Sequence, residues 1–163
     1  MSFEGLQQAG SGLGSAGFIV YNDTACMVKV AALLSRFLYV ESCEQCVPCK
    51  FGSGEITTAL ERLLRGEGSA DDVNKIRGRC GIVATGNRCA LPVGERVVVT
   101  SILNRFADEF KAHDHTPCPH SRELTLPKLV DYDPNRQAFT YDVLQSRKQP
   151  DWTYAITPVE VVP

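Results

Sequence analysis

Three cysteines in the stretch VESCEQCVPCKFGSGE, residues 40 to 55, stand at C-x2-C-x2-C spacing: Cys43, Cys46 and Cys49. A loop this tight cannot give each thiolate its own ion, but it can wrap one compact object. A [4Fe-4S] cluster is such an object, and its usual shell is four cysteine thiolates. Ser53 occupies the offset at which a bacterial ferredoxin has its next cysteine. The fourth ligand must therefore come from a more distant part of the chain.

Four cysteines outside the triplet are candidates for that ligand: Cys26, Cys80, Cys89 and Cys118. Lengthening a closed loop tenfold costs only about 2 kcal/mol of chain entropy, so a remote ligand is tolerable if helices fix its position. Cys89 lies in GNRCALP, a glycine-led turn before a predicted helix, where backbone can approach a cluster closely. Cys26 falls on the apolar face of a predicted helix and fits a small buried hydrophobe. Cys80, between RGR and Gly81, fits a structural or free thiol.

Zinc is the alternative occupant of the cysteine motif. Structural zinc sites favour two pairs of cysteines, with the second pair downstream of the first. Three clustered thiols and one remote thiol do not form two such pairs. A second group, His113, His115, Cys118 and His120 in HDHTPCPH, fits either another metal site, for which zinc is the best candidate, or an exposed connector.

Composition limits the class of protein. The chain has 163 residues, 44% of them hydrophobic, and a formal net charge of −2, which suits one globular domain and gives no indication of nucleic-acid binding. We find no apolar run long enough for direct membrane insertion and no secretory signal, so we expect a cytoplasmic protein. Seven cysteines in a reducing compartment favour metal ligation over disulfides.

Apolar spacing predicts a mainly α fold, a small four-helix bundle around an iron-sulfur site. The predicted helices are residues 22–40, capped by Asn22 or Asp23, about 53–65, a short one after the capping-box pattern at Ser69, and about 94–112. Residues 1–17 are predicted to form a loop, and GFIVY, residues 17–21, is predicted to form a short strand. GLGSAG, residues 12–17, matches a dinucleotide fingerprint but lacks the strand before it and the helix after it.

The remainder of the chain is richer in proline and less regular. It contains a predicted two-stranded hairpin around Asp133, Pro134 and Asn135, and scattered aromatic residues that favour docking to a partner. We therefore expect three parts: residues 1–21, a preceding loop or domain end; residues 22–112, the helical cluster-binding domain; and residues 113–163, a C-terminal docking extension with a hairpin.

The segments GSGLGSAGFIVYNDTACMVKVA, ESCEQCVPCKFGSGE and GNRCALP together resemble the C-terminal part of the NADH-binding flavoprotein subunit of respiratory complex I. Related subunits occur in NAD-linked hydrogenases and formate dehydrogenases, and the resemblance covers about residues 3 to 112. In that family a small helical bundle binds one [4Fe-4S] cluster that takes an electron from FMN reduced by NADH. The family's ligand pattern maps onto Cys43, Cys46, Cys49 and Cys89.

The chain departs from the family pattern near the motif. The family usually has Gly at the position of Glu44, and Arg-Glu at the position of Lys50 and Phe51. The sequence after Cys89 is LPVGERVVV, where a Gly-Asp-rich turn is common. A carboxylate beside the cluster would lower its potential and an ammonium would raise it.

The resemblance implies that FMN and NADH bind in a domain N-terminal to this region, so we expect both on a separate partner chain, and residues 1–21 to be the end of a ubiquitin-like domain. The chain would then be a non-catalytic electron-transfer part of an NADH oxidoreductase. Its implied partners are the flavin- and NADH-binding subunit and a further iron-sulfur protein, in a complex that can reach the membrane surface. The alternative is a zinc-bound or metal-free scaffold derived from the same fold.

Overall fold

The computed structural model describes residues 2–14, 17–126 and 128–156, and this part of the chain is mainly α-helical, as predicted. Four longer helices form the bundle, and two short helices flank it. The helices are α1 Phe3–Gln8, α2 Met27–Glu41, α3 Val47–Leu64, α4 Ala70–Ile82, α5 Leu91–Arg105 and α6 Ala107–Ala112. None of the helices in these ranges is long and apolar enough to cross a bilayer.

Helix α2 lies against α3 and α5, and α3 also packs against α4. Their shared core is aliphatic, and its fully buried members include Val28, Val30, Ile56, Leu60, Ile76 and Val99. The approach of α3 to α4 is close at Gly52, where an added Cβ would lie 2.9 Å from Val83 Cγ2. This packing fixes the start of α3, which carries part of the cysteine motif.

Local signals explain three helix starts, two of which differ from the prediction. Helix α4 begins as expected, with the Ser69–Asp72 capping box formed. Helix α3 begins at Val47 rather than at residue 53, because Pro48 suits the first turn of a helix. Helix α5 likewise begins at Leu91, before residue 94, with Pro92 in its first turn. The predicted helix over 94–112 is in fact two helices, separated at Phe106, which has φ −118° and ψ 35°.

Helix α2 begins five residues later than predicted, at Met27. Asn22 accepts a hydrogen bond from the Thr24 hydroxyl at 2.7 Å instead of capping the helix. The cap comes from α6, where the Glu109 carboxylate accepts from the Met27 backbone N–H at 2.8 Å. Cys26 is therefore the residue that immediately precedes the helix.

The predicted strand at residues 17–21 is wrong. This segment has no strand partner in the described part of the chain, and Phe18 and Val20 are 61% and 92% exposed. Strand-forming residues without a neighbouring strand cannot satisfy their backbone groups in a ladder. The expected loop over residues 1–17 is interrupted by α1. Within residues 12–17, Ser15 and Ala16 lie outside the described residues.

The predicted hairpin is confirmed. Strands β1 Leu129–Asp133 and β2 Ala138–Tyr141 pair antiparallel, and both lie almost wholly on the surface. Beyond the hairpin the chain folds back onto the end of α2, where Lys148 Nζ lies 2.7 Å from Glu41 Oε2. The boundaries at residues 21/22 and 112/113, and the docking role of the extension, stay predictions.

Candidate iron-sulfur site

The cysteine loop begins where α2 ends. Ser42 turns the chain out of the helix with extended backbone angles, φ −62° and ψ 138°. Its Oγ accepts a hydrogen bond from the Glu44 N–H at 3.1 Å, which closes the turn around Cys43. Glu44 has φ 56°, in the left-handed region that favours glycine. The backbone therefore makes a tight turn between Cys43 and the start of α3.

Helix α3 supplies the second half of the motif. Cys46 is its N-cap residue, and Cys49 lies in its first turn with only 5% of its surface exposed. The first N–H groups of a helix have no intrahelical acceptor, and the N-terminus carries a partial positive charge. Both features favour anionic thiolates at this position. Nearby, Glu44 Oε2 pairs with Lys50 Nζ at 3.0 Å, so their opposite charges offset each other beside the loop.

The segment that carries Cys89 contacts the cysteine loop, although the two are far apart in sequence. Cys89 is exposed and stands two residues before α5. The preceding residue, Arg88, donates from Nη1 to Gln45 Oε1 at 3.4 Å, which joins the two cysteine-bearing loops directly. Burial is the main cause of the raised pKa of Cys49, and the charge of Cys89 adds a smaller contribution.

The other cysteines lie elsewhere. Cys80 is buried in α4, and burial raises the pKa of its thiol to about 11, so it is a protonated core residue. Cys26 precedes the opposite end of α2, whose 15 residues span about 22 Å. Cys118 lies with Cys26, at that same end.

Burial raises the pKa of the Cys49 thiol, and two hydroxyl groups act against that effect. Ser42 Oγ lies 3.4 Å from Cys49 Sγ, and the Ser53 hydroxyl also lowers the pKa. The charges of Glu95 and Cys89 raise it further. The thiol therefore lies beside two serine hydroxyls in a largely dry position, where a bound cation would favour its thiolate.

Sequence reasoning missed a buried polar network behind Cys49. Glu95 in α5 is fully buried; its carboxylate accepts hydrogen bonds from Ser53 and, at 2.8 Å, from Ser35. Ser35 also contacts Thr57 Oγ1 at 2.9 Å. The network links α2, α3 and α5 behind the loop. The sequence did contain a sign of this network: serine and glutamate occur on helix faces whose other residues are apolar and typical of a core.

The donor set fits an iron-sulfur cluster. Cys43, Cys46 and Cys49 lie on one loop and the helix start that follows it, Cys89 lies on the segment in contact with that loop, and the side-chain amide of Asn87 is buried without a hydrogen-bond partner in the described ranges. Four thiols are the usual donor shell of such a cluster, and the Asn87 amide is a spare hydrogen-bond donor in the same segment as Cys89.

Comparison with known proteins gives one family and several relatives. Residues 29–113 match the family described as the NADH-ubiquinone oxidoreductase-F iron-sulfur binding region. The F 2 subunit of the NADH-quinone oxidoreductase of Rhizobium meliloti is 38% identical over 73% of this chain and 28% of its own length. The HndC subunit of the NADP-reducing hydrogenase of Solidesulfovibrio fructosivorans is 31% identical over 73% of this chain and 24% of its own.

A third relative, the F subunit of the NADH-quinone oxidoreductase of Mycobacterium tuberculosis, is 33% identical over 69% of this chain and 25% of its own length. The match to these curated relatives thus spans about a quarter of their length. The family match contains every residue from Cys43 to Cys89, so the cysteine loop and the remote cysteine both fall inside it.

Proposed function

The chain belongs to the NADH-ubiquinone oxidoreductase-F iron-sulfur binding region family, whose cofactor is an iron-sulfur cluster, and from this premise we propose that it is an electron-transfer module. It carries one [4Fe-4S] cluster on Cys43, Cys46, Cys49 and Cys89. The observation that supports the proposal is the hydrogen bond between the side chains of Arg88 and Gln45, which joins the residue before Cys89 to the residue before Cys46.

A bound cluster supplies a centre that accepts and releases one electron at a time. The chain's own residues hold the thiolates and set their surroundings. Ser42 Oγ lies 3.4 Å from Cys49 Sγ, a distance at which its hydroxyl can donate to the thiolate, and Cys49 lies in the first turn of α3, where the helix has free N–H groups. Cys46 and Cys49 stand on a helix fixed by core packing, so their positions change little when the charge at the site changes.

The surface around the site supports exchange of electrons with other proteins. Cys43 and Cys89 are exposed, and the apolar side chains of Val47 and Phe51 are 68% and 60% exposed beside them. Exposed apolar side chains next to a functional site are typical of a surface that a partner covers. The proposed donor is a separate flavin- and NADH-binding chain, and the proposed acceptor is a further iron-sulfur protein, within a complex at the membrane surface.

Metal and sulfide analysis tests the ligand set. We expect about four irons and four acid-labile sulfides per chain in anaerobically purified protein. Cys89→Ser should reduce both, whereas Cys80→Ala, a change to a cysteine outside the site, should retain them. Zinc at the motif in place of iron, lost in Cys89→Ser, would refute the electron-transfer function and leave the scaffold alternative. Full iron and sulfide in Cys89→Ser would refute the fourth ligand alone.

Reduction experiments test whether FMN and NADH bind to a partner chain. NADH alone should leave the cluster oxidised, as followed by its visible absorption and by electron paramagnetic resonance, while dithionite should reduce it. Addition of the flavin- and NADH-binding part of a relative should then permit reduction by NADH. Rapid reduction by NADH without any flavoprotein would contradict the assignment of FMN and NADH to a partner chain.

A further inference from the structure

A second group of sulfur and nitrogen ligands lies at the opposite end of α2 from the cysteine loop. The donor atoms of Cys26, His113 and Cys118 all lie within 4.8 Å of one another. Cys26 and His113 are 1% and 2% exposed, and Cys118 is partly exposed. In the described part of the chain, this is the only set of three such residues with donor atoms this close.

The imidazole of His113 is oriented as a ligand. Its Nδ1 lies 2.7 Å from the backbone carbonyl of Glu109, and because a carbonyl can only accept, Nδ1 carries the proton. In the neutral ring the Nε2 lone pair then faces Cys26 Sγ at 3.5 Å. Metal-binding histidines usually donate their second ring N–H to a carbonyl or carboxylate in this manner. Glu109 also caps Met27, so one residue fixes both His113 and the backbone next to Cys26.

The position of Cys118 is fixed by the end of α3. Its backbone N–H donates to the Leu64 carbonyl at 2.9 Å, and the adjacent Pro117 forms a bridge with Arg65. On the other side, the buried Lys29 ammonium donates to the carbonyl of His120 at 2.9 Å. The segment after α6 is therefore held against the bundle on both sides of the sulfur atom.

The spacing of the donor atoms agrees with zinc. A Zn–S bond of about 2.3 Å and a Zn–N bond of about 2.0 Å at a tetrahedral angle separate sulfur and nitrogen by about 3.5 Å. That is the distance between Cys26 Sγ and His113 Nε2. Two thiolates and a neutral imidazole also balance the charge of a divalent ion, which favours a mostly buried position.

We propose that Cys26, His113 and Cys118 bind a zinc ion, distinct from the iron-sulfur site, that fastens the C-terminal extension to the bundle. Each thiol loses its proton to solvent as its Zn–S bond forms. Water would complete the tetrahedral shell, because Cys118 is partly exposed. His115 takes no part: it is exposed, with a φ of 50°, and its Nε2 lies 3.9 Å from Asp114 Oδ1.

Zinc content and X-ray absorption of cluster-loaded protein test this proposal. After anaerobic incubation with one equivalent of zinc and removal of the excess, we expect about one zinc per chain, with two sulfur ligands and one nitrogen ligand. Cys118→Ser and His113→Gln should lose that zinc and keep their iron and sulfide. The matched controls His115→Gln and His120→Gln, in the same segment, should keep both metals.

A second measurement separates binding from a folding defect. Zinc should raise the thermal midpoint of the wild-type protein, because a ligand that binds only the folded state stabilises it, and should leave that of Cys118→Ser unchanged. Cluster-loaded wild-type protein that retains no zinc would overturn the proposal. So would zinc retention in both ligand variants, or a zinc shell of sulfur alone that disappears in Cys89→Ser.

Discussion

Glu44 offers a measurement of how tightly the cysteine loop is wound. Its φ of 56° is a conformation in which a Cβ is strained, and its carboxylate pairs with Lys50 at 3.0 Å. Replacing it by glycine removes the strain and the ion pair together. Replacing it by alanine removes the ion pair and keeps the strain. The difference in stability between Glu44→Gly and Glu44→Ala therefore isolates the backbone contribution.

The expected difference is about 1 kcal/mol in favour of glycine. A non-glycine residue in the left-handed region costs about 1–2 kcal/mol. Glycine in turn makes the unfolded chain more flexible, which costs roughly 0.4–1 kcal/mol. The lost ion pair, a partly exposed one worth about 0.2–1 kcal/mol, is common to both variants and cancels.

Thermal unfolding of both cluster-loaded variants, followed anaerobically by circular dichroism, gives the comparison. A difference of 1 kcal/mol shifts the midpoint by about 2–4 °C in a protein of this size. Iron and sulfide content should be equal in the two variants, so the cluster contributes equally. An alanine variant as stable as the glycine variant, or more stable, would refute the argument that the turn at Glu44 requires a positive φ.

Three further predictions concern the bundle and the extension. Gly52→Ala should lower the thermal midpoint, because crowding of Val83 costs about 1–3 kcal/mol while better helix propensity returns only about 1 kcal/mol; an unchanged midpoint would contradict the close approach at 2.9 Å. Burial raises the pKa of Glu95, so the folded protein keeps this proton to higher pH than the unfolded chain does. The free energy of unfolding of the wild-type protein, relative to that of Glu95→Gln, should therefore fall as the pH rises from the pKa of Glu95 in the unfolded chain to its higher pKa in the folded protein. Parallel pH profiles of the two proteins would count against this. Trp152→Ala should hasten proteolysis within residues 145–156, because the indole N–H bonds the Ser42 carbonyl at 3.0 Å; equal cleavage rates would indicate that this contact holds nothing in place.

Local chemistry made several elements predictable from sequence. The capping box at Ser69 begins α4 as expected, because both of its hydrogen bonds are made within four residues. The hairpin turn follows from Asp133, whose carboxylate accepts from the Asn135 N–H at 2.8 Å. Pro48 indicates a similar local start for α3, but the prediction did not use it and therefore began the helix too late, at about residue 53.

The features that local chemistry could not predict depend on contacts between distant residues. Helix α2 begins at Met27 because Glu109, far along the chain, caps it. The polar network around Glu95 forms only when three helices meet. The segment HDHTPCPH suggested a metal site made within one stretch of chain, whereas the group in the structure combines His113 and Cys118 from that segment with Cys26, which was predicted to be a buried hydrophobe. The four proposed cluster ligands were selected from spacing and resemblance, and their role stays a prediction.

The chain contains one tryptophan, and the fold places it against the cysteine loop. Its ring also lies 4.9 Å from the Lys148 ammonium, which holds it in a defined orientation. Iron-sulfur clusters absorb broadly across the wavelengths at which indole emits, so energy transfer to the proposed cluster at Cys43 should quench the emission of Trp152. We therefore expect the fluorescence of Trp152 to increase when the cluster is lost, and so to report cluster loading without an added label.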